Sequence, residues 1–209
     1  MKPEQIAILL VGAPGSGKST WGKHYVETRD NIVRLCPDEF RAKIGRGEWD
    51  QTVSAQAFAM TRSGMENALD AGSSVMIDAT NMYKKTRKDF LKIAQARKIK
   101  TMAIVFEVDK PVLLDRNQKR GILGGRNVPE HIIDSMLNKY EKPVAGVEFD
   151  IVQFIPSSEK PKLNSNLQIE GDALEPCPKC GSSVNRKWGV IKTGGCINPE
   201  CENYLPKKT

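Results

Sequence analysis

The sequence predicts an α/β protein, a parallel sheet covered by helices on both faces, and three observations carry that prediction. Short apolar runs alternate with longer segments at helical spacing from Ile6 to Ile155. Several runs are apolar throughout rather than at every second residue, which suits strands buried on both sides. The composition, 39% hydrophobic and 27% charged over 209 residues, is that of a globular chain and excludes disorder for most of its length. A chain of that size suits one or two domains and can bury a core.

The elements follow in order. Ile6 to Val11 is a wholly apolar run ending at Gly12, a buried central strand. A helix is expected from about Gly17 to Thr28, then a short strand from Ile32 to Leu35. Pro37 opens a helix carrying Asp38, Glu39 and Arg41, since proline suits a first helical turn. From Ser54 to Ala71, the residues Ala57, Met60, Met65, Ala68 and Leu69 recur near helical spacing, with Gly72 as terminator. Ser74 to Ile77 is a third strand, ending at Asp78. Residues 84–98 read as a helix with Phe90, Leu91 and Ala94 inward, and Met102 to Val108 as another strand. Lys110 to Lys119 reads as a helix, Gly121 to Asn127 as a glycine-rich loop, Pro129 to Tyr140 as a helix and Glu148 to Ile155 as the last strand.

Residues 156–175, rich in Ser, Pro, Asn and Lys, read as a linker, which divides the chain into a 1–155 domain and a 176–209 module. The longest apolar run is six residues, too short to span a membrane, and nothing resembles an export signal. The expectation is a soluble, cytoplasmic protein with no membrane partner. The net charge is +7, and residues 84–126 alone hold thirteen Lys and Arg against four Asp and Glu. That excess suits a polyanionic partner such as nucleic acid, although a solvated helix face accounts equally well for the 84–100 stretch.

Gly12-Ala13-Pro14-Gly15-Ser16-Gly17-Lys18-Ser19 fits G-x-x-x-x-G-K-S between an apolar strand and a helix. Its glycines let backbone N–H groups converge on phosphate oxygens, Lys18 neutralises the terminal phosphates, and the Ser19 hydroxyl can ligate Mg²⁺. Nucleotide triphosphate binding follows, with ATP as the expected donor and Thr20 completing the loop. The acceptor needs a carboxylate to take a proton and cations over the transferring phosphoryl group. Asp38 lies past the second strand, where doubly wound folds bind ligands, and shares a helix face with Arg41. Asp78, Thr80 and Asn81 follow the third strand; there the acid can order a Mg²⁺ water or orient Arg41. Arg87 is counted with this acceptor side. Arg116 and Arg120, four apart and just before Gly121, suit a lid over the phosphates, with Arg120 the better placed.

These motifs, in this order, resemble the phage-type 5′-polynucleotide kinases over about residues 5–155: G-A-P-G-S-G-K-S-T-W at Gly12 to Trp21, P-D-E-F-R at Pro37 to Arg41, D-A-T-N at Asp78 to Asn81, and R-N-Q-K-R-G at Arg116 to Gly121 followed by Val128-Pro129. The resemblance implies a P-loop kinase fold and an ATP- and Mg²⁺-dependent activity on 5′-hydroxyl ends of DNA or RNA. It also implies Asp38 as general base, Arg41 as holder of the acceptor's 3′-phosphate, lid roles for Arg116 and Arg120, and support of the acceptor site by Asp78. Pro37 stands where a polar residue is commoner in that family. The phosphatase domain of the phage enzyme and its D-x-D-x-T signature are missing, so no 3′-phosphatase activity is expected.

Cys177 and Cys180, then fifteen residues, then Cys196 and Cys201, give two pairs at Zn²⁺-ligand spacing, and four thiolates can enclose a structural Zn²⁺. The segment is similar to the C-terminal zinc ribbons of bacterial type IA topoisomerases. Arg186, Lys187, Trp188 and Lys192 then suit either a single-strand platform or the core of a purely structural module. Two rivals to the polynucleotide reading remain open on sequence: a P-loop kinase of a small metabolite or nucleoside, and a nucleic-acid-binding NTPase or scaffold.

Overall fold

The computed structural model describes residues 4–155 and the two-residue strands Val184–Asn185 and Gly195–Cys196. The chain divides into two units, Met1–Glu159 and Lys160–Thr209. In the first unit β1 (Ile6–Val11), β2 (Ile32–Leu35), β3 (Ser74–Asp78), β4 (Lys100–Phe106) and β5 (Ile151–Ile155) form a parallel sheet in the order β2-β3-β1-β4-β5. The helices α1 (Lys18–Glu27), α2 (Pro37–Ile44), α3 (Ser54–Asp70), α4 (Lys84–Ala96), α5 (Lys110–Ile122) and α6 (Glu130–Asn138) connect and cover it. In the second unit β6 (Val184–Asn185) pairs antiparallel with β7 (Gly195–Cys196). Among the described residues no helix is long and apolar enough to cross a membrane.

All six residues of β1 are buried because strands flank it on both edges and side chains pack on both faces. Ala7, Leu9 and Val11 share one core with Met65 and Leu69 of α3 and Phe90, Leu91 and Ala94 of α4. Leu10, of opposite parity, points to α1, where a Cβ on Gly22 would lie 3.0 Å from Leu10 Cδ1 and 3.1 Å from Met76 Sδ. Trp21 stacks on Tyr25 at 4.7 Å and meets Phe106 edge-on at 5.8 Å.

The bounds of α5, β5 and β4 differ from the sequence expectation. α5 continues to Ile122 and takes in Gly121, because the chain returns past the helix so closely that a Cβ on Gly121 would stand 2.9 Å from Asn127 Cβ. This glycine serves close approach rather than a loop. β5 starts at Ile151 because Glu148 is drawn to Arg87, Phe149 enters the core and Asp150 Oδ2 accepts from Thr101 N and Oγ1, both at 2.7 Å. β4 starts at Lys100, opposite Ile6, and ends at Phe106.

Candidate active site

Parallel strands present their carboxyl ends on one edge, and the site forms there. The loop from Gly12 to Gly17 joins β1 to α1. Gly15 sits at φ +85°, and a Cβ there would lie 2.6 Å from Leu113 O, so α5 packs directly against the loop. Gly17, at φ +94°, caps α1 in the left-handed region and turns the chain into the helix. Thr80 serves the loop through its carbonyl, which accepts from Gly12 N at 2.9 Å. Lys18 is buried, and its Nζ donates to Ala13 O at 2.8 Å and Ser16 Oγ at 3.1 Å. Burial lowers its pKa to about 8, against the pull of Asp78 and Asp38 and with a smaller push from Arg120. Ser19 and Thr20 are exposed at the start of α1.

β3 lies beside β1 with Asp78 opposite Leu10, so Asp78 emerges next to the phosphate loop. Ser19 Oγ donates to Asp78 Oδ1 at 3.2 Å, while Arg34 Nε and Nη2 donate to Asp78 Oδ2 at 2.9 and 2.5 Å. Arg34 also holds Glu39 at 2.6 Å. Asp78 therefore stands beside Ser19 of the phosphate loop; Arg34, not Arg41, is the arginine bound to it. A hydroxyl and a carboxylate are hard oxygen donors suited to Mg²⁺, so Ser19 and Asp78 fit that ion.

The first turn of α2 carries Asp38, whose side chain is 42% exposed, paired with Arg41 one turn on. Arg41 is buried, and its Nε donates to Glu48 O at 2.8 Å. Arg126 Nη1 reaches Asp38 Oδ2 at 3.8 Å from the segment after α5. Burial lowers the Arg126 pKa, Asp38 and to a lesser degree Glu48 oppose that shift, and the positive charges of Arg41 and Arg120 add to it. Arg120 is exposed and donates to Asn117 Oδ1 at 3.0 Å. Buried Asn117 also donates to Asn127 Oδ1 at 2.6 Å and Val128 O at 2.8 Å, which fixes the far end of the 123–128 segment. Arg116 is exposed on α5. Cys36, beside this cluster, is buried, and burial pushes its thiol up to about 12, which makes it a packing residue rather than a nucleophile.

Two expected acceptor residues are corrected. Arg87 is fully buried: its Nε and Nη2 hold Glu148 at 2.7 and 2.9 Å, and Nη1 donates to Asn81 O and Glu141 O at 2.9 and 2.8 Å. It braces the fold from beneath. Asn81, also buried and at φ +46°, donates from Nδ2 to Leu10 O at 2.9 Å, tying β1 to the turn after β3. The sequence reading missed Arg34 and Arg126 as site residues. Arg34 carried a signal, a cation in a short strand otherwise apolar; Arg126 carried only its place in the basic segment. Cys177, Cys180 and Cys201 lie outside the described residues, and of Cys196 the structure describes the backbone pairing with Val184.

The family model described as an AAA domain (AAA_33) matches residues 8–143. L-seryl-tRNA(Sec) kinase of Methanococcus maripaludis is 26% identical over 90% of this chain and 81% of the relative. A polynucleotide phosphatase/kinase homologue of Acanthamoeba polyphaga mimivirus is 29% identical over 65% of this chain and 28% of its own length. Among solved structures, a chain of the Pnkp1/Rnl/Hen1 RNA repair complex superposes with a TM-score of 0.58 at 28% identity, covering 65% of this chain and 44% of that one. The protein thus spans most of one relative and less than half of the other two. With a phosphate loop, a Ser19–Asp78 hydrogen bond beside it and a five-stranded parallel sheet in place, the chain belongs to the AAA domain (AAA_33) family and is a P-loop kinase.

Proposed function

We propose that this kinase transfers the γ-phosphoryl group of ATP to the 5′-hydroxyl of a DNA or RNA strand. The observation that carries the reading is the Asp38–Arg41 pair on the carboxyl edge of the sheet, with Arg126 against the same carboxylate and Lys18 electrostatically coupled to it. In the reaction the Asp38 carboxylate accepts the proton of the attacking hydroxyl. The hydroxyl oxygen bonds to the γ-phosphorus as the bond to the β–γ bridging oxygen breaks, and ADP leaves. Lys18, Arg120 and Arg126 offset the charge on the transferring group, and Arg116 adds to the positive field from the same helix. Mg²⁺, held by Ser19 and Asp78, would supply further neutralisation of the phosphates.

Likeness to a chain of an RNA repair complex and to a polynucleotide phosphatase/kinase homologue supports a nucleic-acid acceptor. A second reading, a hydroxyl carried on an aminoacylated RNA, is favoured by the extent of the match to the seryl-tRNA(Sec) kinase. Transfer from γ-labelled ATP to 5′-OH oligonucleotides, beside seryl-tRNA, free nucleosides and a metabolite panel, separates these readings. Label on the 5′ end is the expected result. Label confined to seryl-tRNA or to a small molecule replaces the reading, and ATP turnover without any transfer favours an NTPase or scaffold.

The same proposal gives Cys177, Cys180, Cys196 and Cys201 to a structural Zn²⁺. Elemental analysis should find about one zinc per chain, lost on removal of residues 172–209; a metal-free full-length protein would end the idea.

Lys18 makes ATP binding pH-sensitive in a calculable direction. Its pKa is about 8 in the free protein, and a triphosphate beside it favours the charged form. At pH 8.5 ATP binding should therefore take up protons, visible as binding heats that depend on the buffer's ionisation enthalpy. At pH 6.5 Lys18 is already protonated, and the uptake from it should vanish. Equal uptake at both pH values, or uptake that survives in Lys18→Met, would assign the proton elsewhere.

A further inference from the structure

We infer that Trp49 is a stacking platform for a nucleobase at the 5′ end of the acceptor strand, an assignment that rests on the polynucleotide reading above. Among the described residues Trp49 is the most accessible large aromatic side chain, at 54%. Tryptophan, with a large apolar ring and one N–H donor, is enriched at binding interfaces.

The loop that carries it is held firmly. Asp50, buried beside it, accepts from Thr52 N and Oγ1 at 3.1 and 2.6 Å through Oδ1, and from Arg46 N at 3.0 Å through Oδ2. The indole lies back across Gly47, at φ +151°, where a Cβ would stand 2.7 Å from Nε1. The Arg46 guanidinium sits 5.3 Å from the ring centre. The ring is thus oriented before any ligand arrives, so little conformational freedom is lost on stacking.

Its place relative to the chemistry is fixed by the preceding residue. Glu48 O accepts the Arg41 Nε hydrogen bond, and Arg41 in turn pairs with Asp38. A strand whose 5′-hydroxyl reaches Asp38 has its first phosphate among Arg41 and Arg126 and its first bases within reach of the loop next to Glu48. Stacking is tolerant of base identity, because every base has a π-face, and it suits an enzyme acting on ends of any sequence.

The test uses the full-length protein with Trp49→Ala and Trp49→Phe, on a 5′-OH oligonucleotide and on the same strand made abasic at its first two positions. Trp49→Ala should raise KM for the intact strand by about tenfold to a hundredfold, the effect of losing one base–aromatic stack. Its kcat and its KM for ATP should stay within a few-fold, and Trp49→Phe should recover most of the loss. On the abasic strand wild type and Trp49→Ala should be alike. Unchanged KM in Trp49→Ala, or an equal rise on intact and abasic strands, overturns the platform while the transfer reaction stands. Absence of 5′-end transfer by the wild type overturns the polynucleotide reading itself, and the platform with it.

Discussion

Replacing Asp38 by asparagine should lower phosphoryl transfer by about 10²–10⁴-fold, the usual effect of removing a general base. The Asp38 side chain is 42% exposed, and the substitution keeps the shape while removing the proton acceptor. ATP affinity should hold, because the phosphate loop is built from β1, α1 and the flank of α5 and does not use α2. A competing explanation, collapse of the site through Arg41, is separable. Arg41 keeps its Glu48 carbonyl in the variant and stays anchored. Single-turnover transfer with ATP saturating, combined with a direct ATP affinity, distinguishes the two; near-normal turnover would remove Asp38 from the mechanism.

Arg87→Met should destabilise the first unit by about 3–5 kcal/mol, the range for breaking a buried ion pair by removing one partner. That is a large share of the roughly 5–15 kcal/mol by which domains are stable. The change strands Glu148 and leaves two backbone carbonyls, of Asn81 and Glu141, without a donor. Urea unfolding should record it as a fall in midpoint. Glu148→Gln keeps two polar atoms in place and should lose less. Arg97→Met should lose less still, since its Asp70 partner is 62% exposed and solvent screens the pair. If Arg87 instead met the acceptor, its loss would raise KM for the strand at unchanged stability, and that outcome would return Arg87 to the acceptor site.

Arg87 is also a residue whose burial, though not its role, is written in the helical period of the sequence. It stands three, four and seven residues before Phe90, Leu91 and Ala94, on the same stripe of α4 that enters the core. Its neighbours Lys85, Lys88 and Lys92 lie off that stripe and are exposed. Counting charge along the segment treats all four alike; counting by helical period separates them. Even so, the period says only that Arg87 is buried. Its partner, Glu148, lies 61 residues away and could be found only by folding.

The sequence by itself determined the phosphate loop, the strand–helix alternation and the Asp38–Arg41 pairing. Each depends on interactions within a few residues: glycine conformations, apolar runs that must be buried, and a helix turn that brings positions three apart together. Only the tertiary structure decided which strand neighbours β1, and hence that Asp78 stands beside Ser19 with Arg34, 44 residues away, as its counter-ion. It likewise decided that Arg126 reaches Asp38, because Asn117 draws residues 127–128 back against α5. Strand order and loop return are set by how whole elements bury their apolar faces together, a balance summed over the molecule that no local pattern encodes.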